Sequence, residues 1–244
     1  MAAPPRRDPS ASALDPSSGP PLQGARAAVF DAYGTLFDVA SAAERAKGTL
    51  GERWKPLAEL WRAKQLQYTW LRALMGRHAD FWHVTGDALD FAMESLGIVD
   101  AELRGRLMGL YERLGAYPDA RPALEALRAK GLKIAILSNG TPRMLAAAAE
   151  AAHLSPLLDA ILSVEMVGIY KPSPSVYRLA VDRLHLWPGE IVFVSANGWD
   201  ACAAKAFGLR VAWCNRSGQP PERIPERPDA TIASLAELPA LMGV

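Results

Sequence analysis

Short apolar runs in this chain end on polar side chains of a kind that does chemistry. Ala27-Ala28-Val29-Phe30 ends on Asp31, Lys133 to Leu137 on Ser138-Asn139-Gly140, and Ile191 to Val194 on Ser195-Ala196-Asn197-Gly198-Trp199-Asp200. A fourth run, Ile161 to Val164, is followed by Tyr170-Lys171-Pro172-Ser173-Pro174, which sets a cation between two turn-formers. A carboxylate with a reference pKa of about 3.9 is ionised at neutral pH and can attack an electrophilic carbon when it is held partly desolvated at the right angle. A lysine beside it offsets the repulsion of an anionic substrate, while hydroxyl, amide and backbone N–H donors receive the substrate's charge and the leaving group. Each residue also has a plainer use. Asp before Gly34 caps turns, Ser138 and Asn139 are favoured at the cap of a helix entered near Pro142, and most lysines are solvated surface charges.

Bringing those residues together falls to the elements between them. From Arg26 onward β-prone runs alternate with helical stretches, which predicts an α/β fold with a doubly wound, mostly parallel sheet. Strands are expected at Ala27 to Phe30, Lys133 to Leu137, Ile161 to Val164, Ile191 to Val194 and Arg210 to Cys214, with a weak one near Thr231-Ile232. In a parallel sheet the ends that carry Asp31, Ser138, Ser195 and Asn215 share one edge, and such sheets bind ligands there. About a hundred residues, from Val39 to Leu132, separate the first two strands, far beyond an ordinary crossover. Within them Trp54, Leu57, Leu60, Trp61 and Lys64, then Ala88 to Leu96, show helical spacing, and Gly97 is placed to end the second helix. The expected division is a disordered tail over 1–24, an α/β core over 25–40 and 117–244, and an inserted α-helical cap over 41–116. Tyr117 to Pro122 reads as the return hinge and Ala123 to Lys130 as the helix feeding the second strand.

Composition narrows the function further. In 244 residues, 27 Lys and Arg face 26 Asp and Glu, a net charge of +1 that offers no broad cationic field for nucleic acid or anionic lipid. An anion must therefore be caught locally. Cys202 and Cys214 are too few for a disulfide framework or a zinc site and fit small apolar roles in a reducing compartment, so a cytoplasmic location is expected. No apolar stretch approaches the roughly 20 residues of a membrane span, and Arg6-Arg7 has no apolar block behind it of the kind an export signal needs. His78, His83, His153 and His185 show no metal spacing.

Asp31-Ala32-Tyr33-Gly34-Thr35-Leu36-Phe37-Asp38 resembles the L-2-haloacid dehalogenases of the haloacid dehalogenase superfamily. A second acid at the position of Tyr33 would instead mark a phosphoryl-transfer branch of that superfamily. Lys171-Pro172 matches the superfamily's lysine motif, and Ser195-x-Asn197-x-x-Asp200 resembles the dehalogenase loop rather than the paired acids that hold magnesium in the phosphatases. The segment Leu60 to Leu71 is similar to the one that places an arginine over the nucleophile, here Arg62. This resemblance covers roughly Arg26 to Leu238 and implies a Rossmann-like core with a helical cap. The reaction it implies is displacement of halide from a short L-2-haloalkanoic acid by Asp31, followed by hydrolysis of the resulting ester to a 2-hydroxy acid.

The catalytic set implied is Asp31, Thr35, Lys171, Ser195, Asn197 and Asp200, with Ser195 and Asn197 positioning Lys171 and Asp31, and Asp200 orienting or deprotonating the hydrolytic water. Substrate and halide would meet Arg62, Tyr33, Phe81, Ser138, Asn139, Tyr177 and Trp199. Four of the seven tryptophans, Trp54, Trp61, Trp70 and Trp82, fall in the cap region, mainly as packing, and Phe81, Trp82 and His83 are candidates for an apolar wall. Where many relatives have Gln after the arginine this chain has Ala63, which removes a polar group near the expected halide side. The partners expected are a small-molecule 2-haloacid and water, with no metal, no cofactor, no nucleic acid and no membrane; relatives are commonly homodimers.

Overall fold

The strands of this chain are nearly continuous apolar runs, the pattern of strands buried on both faces of a parallel sheet. A computed structural model describes residues 22–39, 47–111 and 114–244. In it β1 (Ala27–Phe30), β2 (Lys133–Ser138), β3 (Ala160–Ser163), β4 (Ile191–Ser195), β5 (Arg210–Cys214) and β6 (Ala230–Ile232) form one sheet in the order β3-β2-β1-β4-β5-β6. Every pairing is parallel. All six expected strands are present, and β3 begins and ends one residue earlier than expected.

The strand order reverses at β1, which has β2 on one side and β4 on the other. Phe30 is in register with Ile136 and Val194, so Asp31 leaves the sheet level with the ends of both neighbours, and its N–H donates to Val194 O at 2.9 Å. A sheet of this kind opens a crevice at such a switch point, and that is where Asp31 stands. Gly34, with φ of +85°, takes the left-handed conformation that turns the chain back beneath the carboxylate.

Ahead of the expected hinge at Tyr117, the stretch after β1 carries α1 (Trp54–Met75), α2 (Phe81–Ser95) and α3 (Ala101–Leu110). Leu57, Trp61, Gln65 and Thr69 recur every four residues and form the buried stripe of α1. It packs on the stripe of α2 that includes Phe81, Val84, Thr85, Ala88, Leu89 and Ala92. Two polar ties fix the pairing: Trp61 Nε1 donates to Thr85 O at 2.9 Å and Gln65 Nε2 donates to Thr85 Oγ1 at 2.8 Å. Asp80 caps α2 by accepting from the His83 N–H at 2.8 Å, and Asp100 caps α3 in the same way. Among the described residues no helix is long and apolar enough to cross a membrane.

The core helices are α4 (Ala120–Ala129), α5 (Pro142–Ala151), α6 (Pro174–Leu184), α7 (Gly198–Phe207) and the short α8 (Leu238–Leu241). Helix α4 begins inside the stretch expected to be hinge, because Asp119 is bound by the core on three sides. Its Oδ2 accepts from Arg216 Nη1 at 2.7 Å, Ser234 Oγ at 2.6 Å and the Leu235 N–H at 2.8 Å. Residues 22–24 are also no tail: Leu22 is fully buried and Gln23 O accepts from Arg210 Nη1 at 2.7 Å. Residues 1–21, the rest of the expected tail, and 41–46, the start of the expected cap, lie outside the described residues.

Burial alone would raise the Asp119 carboxyl, but the bonds from Arg216, Ser234 and Leu235 outweigh it and hold it below 3.8. An acid lowered on folding contributes stability above its unfolded value that is lost as the pH falls through the lower folded one. We expect Asp119→Ala to reduce the unfolding free energy at pH 7 by about 1–2 kcal/mol, the charged hydrogen bonds being partly screened by solvent. In urea titrations the gap from the parent should close as the pH is taken below 3.8; a gap that stays constant to pH 3 would show that the charge is not what matters.

Candidate active site

Four loops at the carboxyl edge converge on Asp31, which is only 6% exposed. Its Oδ2 accepts from Asn197 Nδ2 at 3.1 Å and Thr35 Oγ1 at 3.3 Å, and its Oδ1 lies 3.1 Å from Lys171 Nζ. Thr35 is itself held, since its Oγ1 accepts the Ala196 N–H at 2.8 Å. Ser195 Oγ accepts the Asn197 N–H at 3.1 Å, which fixes the turn carrying Asn197. Asn139 Oδ1 accepts the Lys171 N–H at 3.1 Å, and the Lys171-Pro172 peptide bond is cis. The helix α5 is capped by Thr141, so Ser138 and Asn139 are not its cap.

Lys171 is buried between two acids. Its Nζ lies 2.8 Å from Asp200 Oδ2 as well as 3.1 Å from Asp31 Oδ1, and Tyr177 donates to the other oxygen of Asp200 at 2.7 Å. Burial by itself would lower the Lys171 ammonium, but the Asp200 and Asp31 charges outweigh it and hold its pKa above 10.5. Burial pushes Asp200 up from 3.8 against the pull of Lys171, and the Asp31 charge adds to the push. Burial, with Asp200 beside it, drives the Tyr177 phenol well above 10, so it remains the donor of that bond.

The helices between β1 and β2 close the site from above. Arg62 on α1 bonds Gln65 Oε1 at 2.7 Å and reaches down to Asn197 Oδ1 at 3.3 Å. Phe81, at the start of α2, stacks on Tyr33 with ring centres 5.9 Å apart. Together with Asp31, Lys171, Asn197, Trp199, Ser138, Asn139, Asp200 and Leu66, these side chains line a chamber of about 20 Å³. A half-open groove of about 620 Å³ lies on the far side of Tyr33, Arg62 and Asn197 and is mostly apolar. Tyr33 OH is buried with no hydrogen-bond partner, and burial drives its pKa far above 10.

Several expectations change with these positions. Ser195 meets the Asn197 backbone and not Lys171. Tyr177 stands behind Asp200 rather than in the chamber wall. Of the three candidates for the apolar wall, Phe81 lines the chamber, whereas Trp82 lies against Arg143 and His83, mostly exposed, pairs with Asp87 at 3.4 Å. Asn215 closes its own loop on Gln219 and does not reach Asp31. Ala63 faces the larger groove, and an amide is present at Arg62 all the same, from Gln65. Sequence reasoning missed Gln65 and Leu66; the signal was their spacing of three and four residues from Arg62, which puts all three on one side of α1.

The donors do not suit a divalent cation. Asp31 and Asp200 already converge on the Lys171 ammonium, and Tyr33 supplies no carboxylate, so the hard oxygen shell that magnesium requires is missing. Among the described residues no three His, Cys, Asp or Glu side chains are grouped so as to hold a metal.

Comparison with known proteins agrees with this arrangement. The haloacid dehalogenase-like hydrolase family matches residues 25–208. The chain is 48% identical to (S)-2-haloacid dehalogenase 1 of Pseudomonas sp. (strain CBS-3), over 89% of this chain and 96% of that enzyme. It is 48% identical to (S)-2-haloacid dehalogenase 4A of Burkholderia cepacia, over 81% and 86%. Its fold superposes with a TM-score of 0.83 on the L-2-haloacid dehalogenase of Xanthobacter autotrophicus with chloropropionic acid covalently bound, 40% identical and covering 89% of this chain and 98% of that one. The chain belongs to the haloacid dehalogenase-like hydrolases, in the branch of the (S)-2-haloacid dehalogenases.

Removing the shared cation would strand two buried acids. Lys171→Met is expected to cost about 3 kcal/mol of unfolding free energy at pH 7, and adding Asp200→Asn should recover part of it by deleting one of the stranded charges. Chemical denaturation of the two variants checks this; an additive loss in the double variant would mean that Lys171 and Asp200 do not depend on one another.

Proposed function

We propose that the protein hydrolyses short L-2-haloalkanoic acids, haloacetates included, to 2-hydroxy acids and halide through a covalent ester on Asp31. The observation that carries this reading is the pairing of Asp31 with Lys171, Thr35 and Asn197 while Tyr33 stands where a phosphotransferase needs its acid. One oxygen of Asp31 attacks C2 from the side opposite the halogen, the carbon inverts, and the halide leaves with the bonding pair. Arg62, a weakly hydrated planar cation at the chamber mouth, receives it. The departing halide needs no proton.

Water then attacks the carbonyl carbon of the Asp31 ester. Negative charge develops on the carbonyl oxygen, which meets Lys171 if Oδ2 made the ester and Thr35 and Asn197 if Oδ1 did, and collapse returns Asp31 with one oxygen from water. The product alkoxide takes one proton of that water, and the other leaves to solvent as the Asp31 carboxylate is restored. With Asp31 esterified, Lys171 faces one carboxylate instead of two, and Asp200, raised by burial, is placed to orient the water and accept its proton in passing. Ser138 and Asn139 supply donors for the substrate carboxylate, and Phe81, Tyr33 and Trp199 keep bulk water from C2.

We read the helices over 41–116 as the cap that completes the chamber and the rest, 25–40 and 117–244, as the catalytic core. Leu71, Leu74, Met75 and Phe91 are exposed on α1 and α2, which supports a homodimer joined through the cap. The two buried free cysteines, Cys202 and Cys214, support a cytoplasmic location, where thiols stay reduced. The balanced charge offers nothing to nucleic acid.

Two outcomes test the chemistry. In a single turnover in heavy-oxygen water with enzyme in excess, the label should enter the Asp31 side chain before it appears in the 2-hydroxy acid; label found in product alone would mean direct attack by water. Because Lys171 and Arg62 supply the positive charge, halide release should be unchanged after dialysis against a chelator, and magnesium should confer no turnover of phosphate esters. Loss of activity on chelation, restored by magnesium, would sink the site assignment.

A further inference from the structure

Arg62 is one of the places where the cap reaches the core. Another is built from His78 and Ala79, in the segment joining α1 to α2, and Phe81 at the start of α2, against Glu165 and Tyr170 of the core. Glu165 Oε2 accepts from His78 Nε2 at 2.9 Å, and its Oε1 accepts the Phe81 N–H at 3.3 Å. Tyr170, which directly precedes Lys171, donates to Ala79 O at 2.5 Å, and its ring lies 4.9 Å from that of His78. The His78–Glu165 pair is three-quarters buried, and His78 Nδ1 is buried with no partner. The ring thus gives up one nitrogen's hydrogen bonding to hold the bond made by the other.

Glu165 is fixed in turn to the active edge. Its N–H donates to Ser163 Oγ at 3.2 Å, and Ser163 Oγ donates to Gly140 O at 2.6 Å, in the loop that carries Ser138 and Asn139. A core carboxylate therefore holds the first N–H of α2, where a negative charge is also favoured by the helix dipole. The residue that bears this N–H is Phe81, whose ring forms the chamber wall against Tyr33. We propose that Glu165, clamped by His78, is a positioning residue for carbon–halogen cleavage: it sets the height of α2 and so places the Phe81 ring over Asp31. The inference rests on the function proposed above. Glu165 touches neither substrate nor Asp31; it acts through the wall.

Glu165→Ala tests this, with Glu165→Gln beside it, since the amide oxygen still accepts the Phe81 N–H. On (S)-2-chloropropionate Glu165→Ala should lower kcat by about tenfold or more, the size of effect a misplacement of order 1 Å produces, with KM changed less than threefold. It should also narrow the preference for (S) over (R) substrate and speed hydrogen exchange of the amides at 81–84, while Glu165→Gln stays within about threefold of the parent kcat. Parent-like kcat, enantiomer preference and exchange in Glu165→Ala would overturn the proposal, as would an equal loss in both variants without a change in exchange. If Glu165→Ala does not fold, His78→Ala, which frees the carboxylate without altering it, carries the same readouts. A parent enzyme that releases no halide from any haloacid would refute the proposed function instead, and the exchange of 81–84 in the variants would still decide whether Glu165 holds α2.

Discussion

A buried ammonium shared by two carboxylates is the constraint around which this molecule is arranged. Lys171 sits between Asp31 and Asp200 and is the cation that both buried side chains share. The sheet exists at this edge to hold the three together: Asp31 leaves β1, Asp200 opens α7 after β4, and Lys171 follows β3. Charge in the chamber is balanced only when Arg62 is counted, since the lining holds two acids and two bases. An anionic substrate upsets that balance. In the proposed reaction the attack removes the charge from Asp31 and delivers it to the halide, so negative charge moves from the Lys171 side toward Arg62 without changing the total. A fixed cation on each side of the scissile bond is what such a transfer needs.

The core was legible in the sequence because parallel strands buried on both faces need uninterrupted apolar runs, and the residue after each run must then fall on one edge. Asp31 and the turn that carries Asn197 could be found that way, whereas the roles of Lys171 and Asp200 came from the resemblance. The weak run at Thr231-Ile232 was also read correctly, as β6. The cap was legible as helices but not as contacts. Helical spacing says which side of α1 is buried; it does not say that Gln65 turns to grip Arg62 or that Trp82, next to Phe81, points away from the chamber toward Arg143. The contact between His78 and Glu165 was hidden for the same reason. His78, Ala79 and Phe81 meet Glu165 and Tyr170 across more than eighty residues of chain, and no local pattern reports such a pairing. Ser195 was assigned to Lys171 by resemblance, whereas its hydrogen bond serves the turn that aims Asn197.

Tyr33 couples the core to the cap. Its ring packs against Phe81, Phe37 and Tyr111, so a residue two places after the nucleophile has become part of the apolar floor on which the cap rests. That packing demands room below. A Cβ on Gly140 would stand 2.8 Å from Tyr33 Cε2 and 3.0 Å from its hydroxyl, closer than such atoms approach, so the loop of Ser138 and Asn139 can pass beneath the ring only because Gly140 lacks a side chain. An acid at position 33 would place a third negative charge beside Asp31 and Asp200 with one ammonium between them, which calls for a metal ion. An aromatic ring there removes that charge and the need for the ion, and it dries the approach to Asp31. The same substitution therefore accounts for a site whose positive charge comes from Lys171 and Arg62, for the glycine at 140, and for an attacking carboxylate kept from bulk water as displacement at carbon requires.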